Sequence, residues 1–490
     1  MDIDPERLID AALTARDNGS IEEILPTLET AARRLPDHFR IWQTLAGSFR
    51  AIGDSANAME AYRHAHMASP TEVKAIHGLA QATLEAGLPA SGLFAQALNL
   101  APGNGDLILG MTAAQIADGN ADSAVNYLAT VVTANPLWLD GHQTLARLRW
   151  QWGGEEFFAE SYLAAIATNP RHTPLWQAYI DILIHSQCYA RAADEIHRAK
   201  HATAESSIFD LPEAICASEL GRIEEADILF QRLVRRDTIY TAERHVRHLL
   251  RTARPERALS RAWPWITRPG ATILWPYISI AWRLLGDRRA DWLDAPDRLI
   301  GIYDLDIASF GGGLAKVLRN IHNSGASPLG QSVVGGTQTD GPLFSRIEPE
   351  IHELKSAIRT SVLDYQKRMG ATDADHPVLK HVQSRFDFTG SWSVRLQQGG
   401  FHSSHIHPLG WLSSAFYVDV PKADEMGSPP AGCLLLGEPP PEFNSGLSPY
   451  RIVEPKVGRL VLFPSIMWHG TQLFDAGERL SVAFDLKAYG

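Results

Sequence analysis

Cysteine is scarce in this 490-residue chain: Cys188, Cys216 and Cys433 lie far apart and form no CxxC pair. A disulfide framework and a zinc–thiolate site are therefore not expected. Long apolar runs are missing too. None approaches the roughly 18 residues needed to span a bilayer, so no membrane partner is expected. A basic stripe is also lacking: 45 Lys+Arg stand against 56 Asp+Glu, a formal net charge of -11. Nucleic-acid binding draws on a concentrated basic surface and is not expected here. The N-terminal stretch MDIDPERLIDAAL has neither a basic flank nor an apolar signal core, which predicts a cytoplasmic location. What remains is an ordinary globular composition, 45% hydrophobic and 21% charged. The chain is too long for a single hydrophobic core.

The first half repeats. Pro36, Pro70, Pro102, Pro136 and Pro170 are separated by gaps of 34, 32, 34 and 34 residues. Gly19, Gly53, Gly87, Gly119 and Gly153 recur in step. The clearest unit, 39–72, carries Trp42, Leu45, Ala46, Phe49, Gly53, Ala58, Tyr62, Ala65 and Pro70. Large and small residues at helical spacing, with a turn glycine between, predict two closely packed helices. Period and residue types together resemble tetratricopeptide repeats. Later units are more degenerate, and a Trp-rich stretch with Trp275, Trp282 and Trp292 reads as a last hairpin sealed against another domain. The repeats predict an α-solenoid over residues 1–295 with a concave surface able to hold a peptide.

Asp294-Ala295-Pro296 breaks this rhythm. Residues 296–380 read as a connecting region. It holds the Phe310–Gly313 run, a helix near 314–323, a long Gly/Ser/Thr-rich loop over 325–344 and a helix over 349–369. The loop suits either a lid or a packing arm. From Val382 the period becomes two. Short segments at 392–396, 412–420, 432–436, 450–454, 459–463 and 480–486 are separated by Pro- and Gly-rich turns. That pattern predicts an antiparallel sandwich or barrel over 381–490.

The chemistry lies in this last region. His405 and His407 are two apart, so on a strand both point to one face. A third histidine, His469, follows the stretch RLVLFP, and Arg479 and Ser481 again share a phase. Two alternating histidines plus a distant one form a metal-binding pattern. The arginine fork and the serine hydroxyl together suit a carboxylate. Tyr417 and Arg395, with Trp392 and Ser393, are further candidates for the lining.

This set resembles the 2-oxoglutarate- and Fe(II)-dependent oxygenases, through FHSSHIHPLGWLSSAFYVDVP and GRLVLFPSIMWHGTQLFDAGERLSVAFD. The layout, repeats first and oxygenase last, is similar to aspartyl β-hydroxylases and some prolyl hydroxylases. The resemblance implies a double-stranded β-helix of jelly-roll or cupin type. It implies Fe(II), 2-oxoglutarate and O2 as cofactors, and hydroxylation coupled to oxidative decarboxylation. His405, His407 and His469 would be the metal set, with Arg479, Ser481, Tyr417 and Arg395 toward the keto-acid. One departure stands out. The family's usual acid in the second position of the His-x-Asp/Glu motif is His407 here. Either His407 ligates, or only His405 and His469 do and water takes the third place.

The attached repeats suggest a protein or peptide substrate. A small metabolite with the repeats as docking scaffold is the alternative. Two readings from other classes stay open: a zinc or manganese enzyme of cupin type, and a non-catalytic scaffold carrying an inactive sheet domain. The sequence does not indicate an oligomeric state.

Overall fold

The computed structural model describes residues 4–489, apart from 153, 155 and 308–312. Gly153 and the Phe310–Gly312 part of the glycine run lie outside the described residues. Antiparallel helix pairs fill the first half. In the unit read most clearly from sequence, Phe39–Ala51 pairs with Ser55–Ala68. Ala46, Ala58 and Ala65 are fully buried between Trp42, Phe49 and Tyr62, so the helix axes approach closely where Cβ is the largest group present. Side chains cap the starts: Asp54 accepts from the Asn57 amide and Asn104 from the Leu107 amide. Pairs continue through Trp275–Leu284.

The turns inside the repeats face the rest of the molecule. The backbone at Gly19, Gly53 and Gly87 has φ of 71°, 69° and 79°, a region open chiefly to glycine. A Cβ there would run into Tyr489, Lys355 and Arg346 respectively, all from the C-terminal half. Lys355 Nζ donates to the Ile52 carbonyl at 3.2 Å, and the Ile347 amide donates to Ala86 O at 3.3 Å. Arg385 pairs with Glu23. Gly19, Gly53 and Gly87 thus serve the turns and also the seam between the repeats and the C-terminal half, whereas nothing closes on Gly119.

Among the described residues nine strands follow: β1 (Gly301–Asp304), β2 (Val333–Gln338), β3 (Arg385–His402), β4 (Leu412–Asp419), β5 (Leu434–Leu436), β6 (Arg451–Val453), β7 (Arg459–Pro464), β8 (His469–Thr471) and β9 (Arg479–Tyr489). They form a six-stranded sheet in the order β1-β7-β4-β9-β3-β2 and a three-stranded sheet in the order β6-β5-β8. All pairings are antiparallel.

The expectation of a double-stranded β-helix is corrected here. The large sheet is open: β1 and β2 are its two edges, and among the described residues neither pairs with the small sheet. Strands β5, β6 and β8 have three residues each, too few to reach across and close the sheets. The helix Pro349–Met369 covers the large sheet instead, through Ile351, Leu354, Ile358, Val362 and Tyr365. The 325–344 stretch also differs from the expected loop. It contains edge strand β2, whose register against β3 shifts between Val334 and Gly336.

Period-two alternation sorts the large sheet into two faces. Leu480, Val482, Phe484 and Leu486 of β9, with Leu412 and Phe416 of β4 and Leu460 and Leu462 of β7, join the helix-covered core. The alternate positions face the other way. These are Arg479, Ser481, Ala483 and Asp485 on β9, Ser413, Ala415 and Tyr417 on β4, Val461 and Phe463 on β7, and Trp392, Val394 and Leu396 on β3. This second face carries the site.

Candidate metal centre

His405, His407 and His469 come together, with one ligand atom from each all within 4.8 Å of one another. The ring centroids are 4.2 Å apart for His405 and His469, 5.0 Å for His405 and His407, and 5.2 Å for His407 and His469. The strand argument for the His405–His407 pair does not hold. Strand β3 ends at His402, and neither histidine lies in a regular strand. Backbone bonds place them instead. His405 exchanges a bridge pair with His469 (N to O, 2.9 and 3.0 Å), and the His407 amide donates to Ser465 O at 2.9 Å. His469 opens β8.

Each ring is held from behind. Nδ1 of His405 lies 2.8 Å from Ser403 O, and Nδ1 of His469 lies 2.9 Å from Met467 O. Nδ1 of His407 lies 2.6 Å from Oδ2 of Asp485. An acceptor at Nδ1 puts the proton there and leaves Nε2 as the lone-pair atom, which in His405 faces the Ser332 hydroxyl at 3.2 Å. Burial, reinforced by the neighbouring His407, pushes the His405 pKa down to about 3. Burial, together with His405, also holds His469 well below the usual histidine range. Both rings are therefore neutral at neutral pH, the form that binds metal. Donors at about 2.0–2.1 Å from one ion stand about 3 Å apart, so small ring rotations would close this set. Phe463 walls one side, 4.6 Å from His469. Trp392 stacks on His407 at 5.8 Å and 11°.

Arg479 is 1% exposed and has no carboxylate partner among the described residues. One guanidinium NH2 donates to Gly432 O at 2.8 Å, and the other to Thr471 Oγ1 at 2.9 Å. Its Nε has no partner, and burial holds its pKa below the ordinary range. Tyr417, 1% exposed, likewise leaves its hydroxyl unpartnered, and burial raises its pKa. The guanidinium carbon sits 6.0 Å from the Tyr417 ring centre. Ser481 is paired in register with Tyr417 and is on the same face as Arg479. Two orphaned donors beside a buried cation are costly without an acceptor. These donors suit an anion, and Thr471, which accepts from Arg479, is two residues from His469.

Not every expected residue joins this group. Arg395 pairs in register with Leu480, not Arg479, and so projects to the helix-covered face. There its Nε is 2.5 Å from Glu478, which Arg319 also holds. Ser393 turns the same way, 3.0 Å from His322 Nε2. His402 lies alongside the cluster, with Nδ1 3.1 Å from Ser332 Oγ, which is itself 3.2 Å from His405 Nε2. Asp485 and Thr471 escaped sequence reasoning. Counting by twos along β9 from Arg479 would have reached Asp485.

Residues 390–485 match a protein-family model described as "Putative 2OG-Fe(II) oxygenase". The matched span contains all three histidines, Arg479 and Ser481, and ends on Asp485. The protein is thus a helix-pair, tetratricopeptide-like solenoid followed by a region matching the 2OG-Fe(II) oxygenase family. With the histidine cluster, that match supports catalytic oxygenase activity. Among solved structures, a Pseudomonas putida prolyl-4-hydroxylase is similar at 17% identity, over 42% of this chain and 100% of its own, with a TM-score of 0.28. A Burkholderia pseudomallei oxidoreductase of the 2OG-Fe(II) oxygenase family is similar at 14% identity over 29% of this chain and 57% of its own, TM-score 0.21. A tetratricopeptide repeat protein from Parabacteroides merdae is similar at 18% identity over 46% of this chain and 91% of its own, TM-score 0.29. No curated protein matches the chain.

Proposed function

We propose that the protein is a 2-oxoglutarate- and Fe(II)-dependent dioxygenase that hydroxylates a protein or peptide side chain. One observation carries the chemistry: a buried arginine, without a carboxylate partner among the described residues, stands on the sheet face that carries three converging imidazoles. The donor set fits the cofactor pair. His405, His407 and His469 would hold Fe(II) through Nε2. Arg479, with Tyr417 and Ser481, would take the far carboxylate of the keto-acid. When bound, the pair supplies O2 activation coupled to decarboxylation. The chain's own residues do the rest. Ser403 O, Met467 O and Asp485 fix the ring tautomers. Gly432 O and Thr471 aim the guanidinium. Trp392, Phe463 and Val461 keep the walls apolar and dry.

The repeats support a polypeptide substrate. A cavity of about 1010 Å³ lies between the concave helices Val73–Glu85, Gly105–Ala117 and Leu139–Gln151 and the connecting region. Leu109, Ala113 and Arg147 line it on one side, and Thr339 and Asp340 on the other. It meets the sheet at the β2 edge. A segment held there would, on this proposal, pass that edge to reach the metal-bearing face. In this reading residues 1–295 present the substrate, 296–380 connect, and 381–490 carry the chemistry.

Anaerobic titration of Fe(II) with 2-oxoglutarate is expected to give a weak visible charge-transfer band, diminished in Arg479→Ala. Iron binding without a band would refute the keto-acid assignment. Ala113→Trp fills the cavity from an exposed position. It is expected to abolish peptide-stimulated succinate release while leaving the unstimulated turnover intact. Equal stimulation by peptides in both proteins would refute the cavity as the peptide's route, and no stimulation of the wild type would favour a small metabolite.

A further inference from the structure

We propose that Asp485 is a positioning residue that supplies, from behind His407, the negative charge missing from the metal ligands. The inference rests on the metal-centre reading above. Imidazole ligands bring no charge to a divalent cation, whereas a carboxylate in the place of His407 would bring one. Behind two of the three rings stand only backbone carbonyls. Behind His407, the residue in the usual acid position, stands a carboxylate at 2.6 Å. This asymmetry coincides with the one departure from the expected ligand pattern.

The surroundings direct this carboxylate to one partner. Its other oxygen, Oδ1, lies 2.6 Å from the Ser413 hydroxyl, which is 2.9 Å from Ser465 Oγ. One hydroxyl hydrogen cannot serve two acceptors, so Ser465 donates to Ser413 and Ser413 donates to Asp485. Ser465 also accepts the His407 amide through its carbonyl. Among the described residues, no Lys or Arg pairs with Asp485, and its contact with a basic side chain is the one to His407. Trp392 holds the same ring from its face. The carboxylate therefore locks His407 with its proton on Nδ1 and makes Nε2 a stronger donor, as an outer carboxylate does for a metal-bound histidine. The ring carries the charge to the metal without giving up a coordination position.

The test uses metal-free full-length protein titrated with Co(II), reading affinity by competition and geometry from the visible d–d band. Asp485→Asn keeps the size and an oxygen acceptor but removes the charge. It is expected to weaken Co(II) binding about 10–100-fold and to shift the band, with the thermal midpoint held. Ser413→Ala, which only loosens the carboxylate, is expected to give a smaller loss in the same direction. In a His407→Ala background, Asp485→Asn is expected to add nothing, because its effect runs through that ring. Wild-type affinity and spectrum in Asp485→Asn would overturn the inference while leaving the metal centre standing. So would an additive loss in the double variant. Wild-type protein that takes up no Co(II) would overturn the metal centre and the inference together.

Discussion

At the residue scale, two buried polar groups of the proposed site stand without partners among the described residues: the Tyr417 hydroxyl and Arg479 Nε. An unpaired buried donor costs about 1–3 kcal/mol. Tyr417→Phe is therefore expected to raise the melting temperature of the cofactor-free protein and to weaken 2-oxoglutarate binding. Calorimetry with and without the keto-acid checks both signs, and a loss of stability would refute the assignment. Arg479 and Ser481 were legible because they share a strand with a clean period of two. Arg395 was misplaced because one residue of register decides the face, and register depends on which strand lies alongside. Asp485 shares the period of two on β9, but its pairing with His407 could not be read from it. It stands 78 residues from His407, and no local pattern joins them.

The short elements around the cluster depend on close approach and on neutral histidines. Gly410 follows His407 in a tight turn, its amide donating to His407 O at 2.9 Å. A Cβ at this position would press on Ser465, the residue behind the Ser413–Asp485 chain. Gly410→Ala is expected to cost roughly 1–3 kcal/mol and to weaken Co(II) binding several-fold, measured by denaturant melts and titration. His322 ties the helix Leu314–Asn320 to the sheet, with Nδ1 2.8 Å from Thr337 Oγ1 and Nε2 3.0 Å from Ser393 Oγ. Burial, with Arg395 nearby, pushes its pKa down to about 4. The unfolded chain, with a histidine pKa near 6.5, takes up the proton first as the pH falls. The stabilising contribution of His322 is thus complete above about pH 6.5 and is lost progressively toward pH 4. His322→Gln is expected to flatten the stability profile within that window, and an unchanged slope would refute it.

At the scale of the whole molecule, the last helix pairs and the C-terminal half share one hydrophobic core that ignores the repeat–sheet division, while the earlier repeats keep cores of their own. The shared core runs from Val246, Trp275 and Trp282 through Leu354 and Tyr365 to Trp468 and Leu486. Trp468 Nε1 donates to Pro276 O at 3.1 Å, and Tyr277 packs edge-on against the Trp468 ring at 5.6 Å. Removing residues 1–295 would expose this surface, so the remaining chain is expected to lose cooperative unfolding, as followed by near-ultraviolet dichroism. A sharp native-like transition in the truncated chain would refute it. No described helix is long and apolar enough to cross a membrane. By itself the sequence determined what local periodicity encodes: the helix pairs with their turn glycines, the helix Pro349–Met369, most of the antiparallel strands, and the histidine and arginine residues worth watching. Only the tertiary structure decided that the large sheet stays open under a helix, that β2 forms its edge, that Arg395 turns away, and that Asp485 stands behind His407. Those features depend on which strand lies next to which. That choice is made by burial summed over distant segments, and no single stretch of chain contains it.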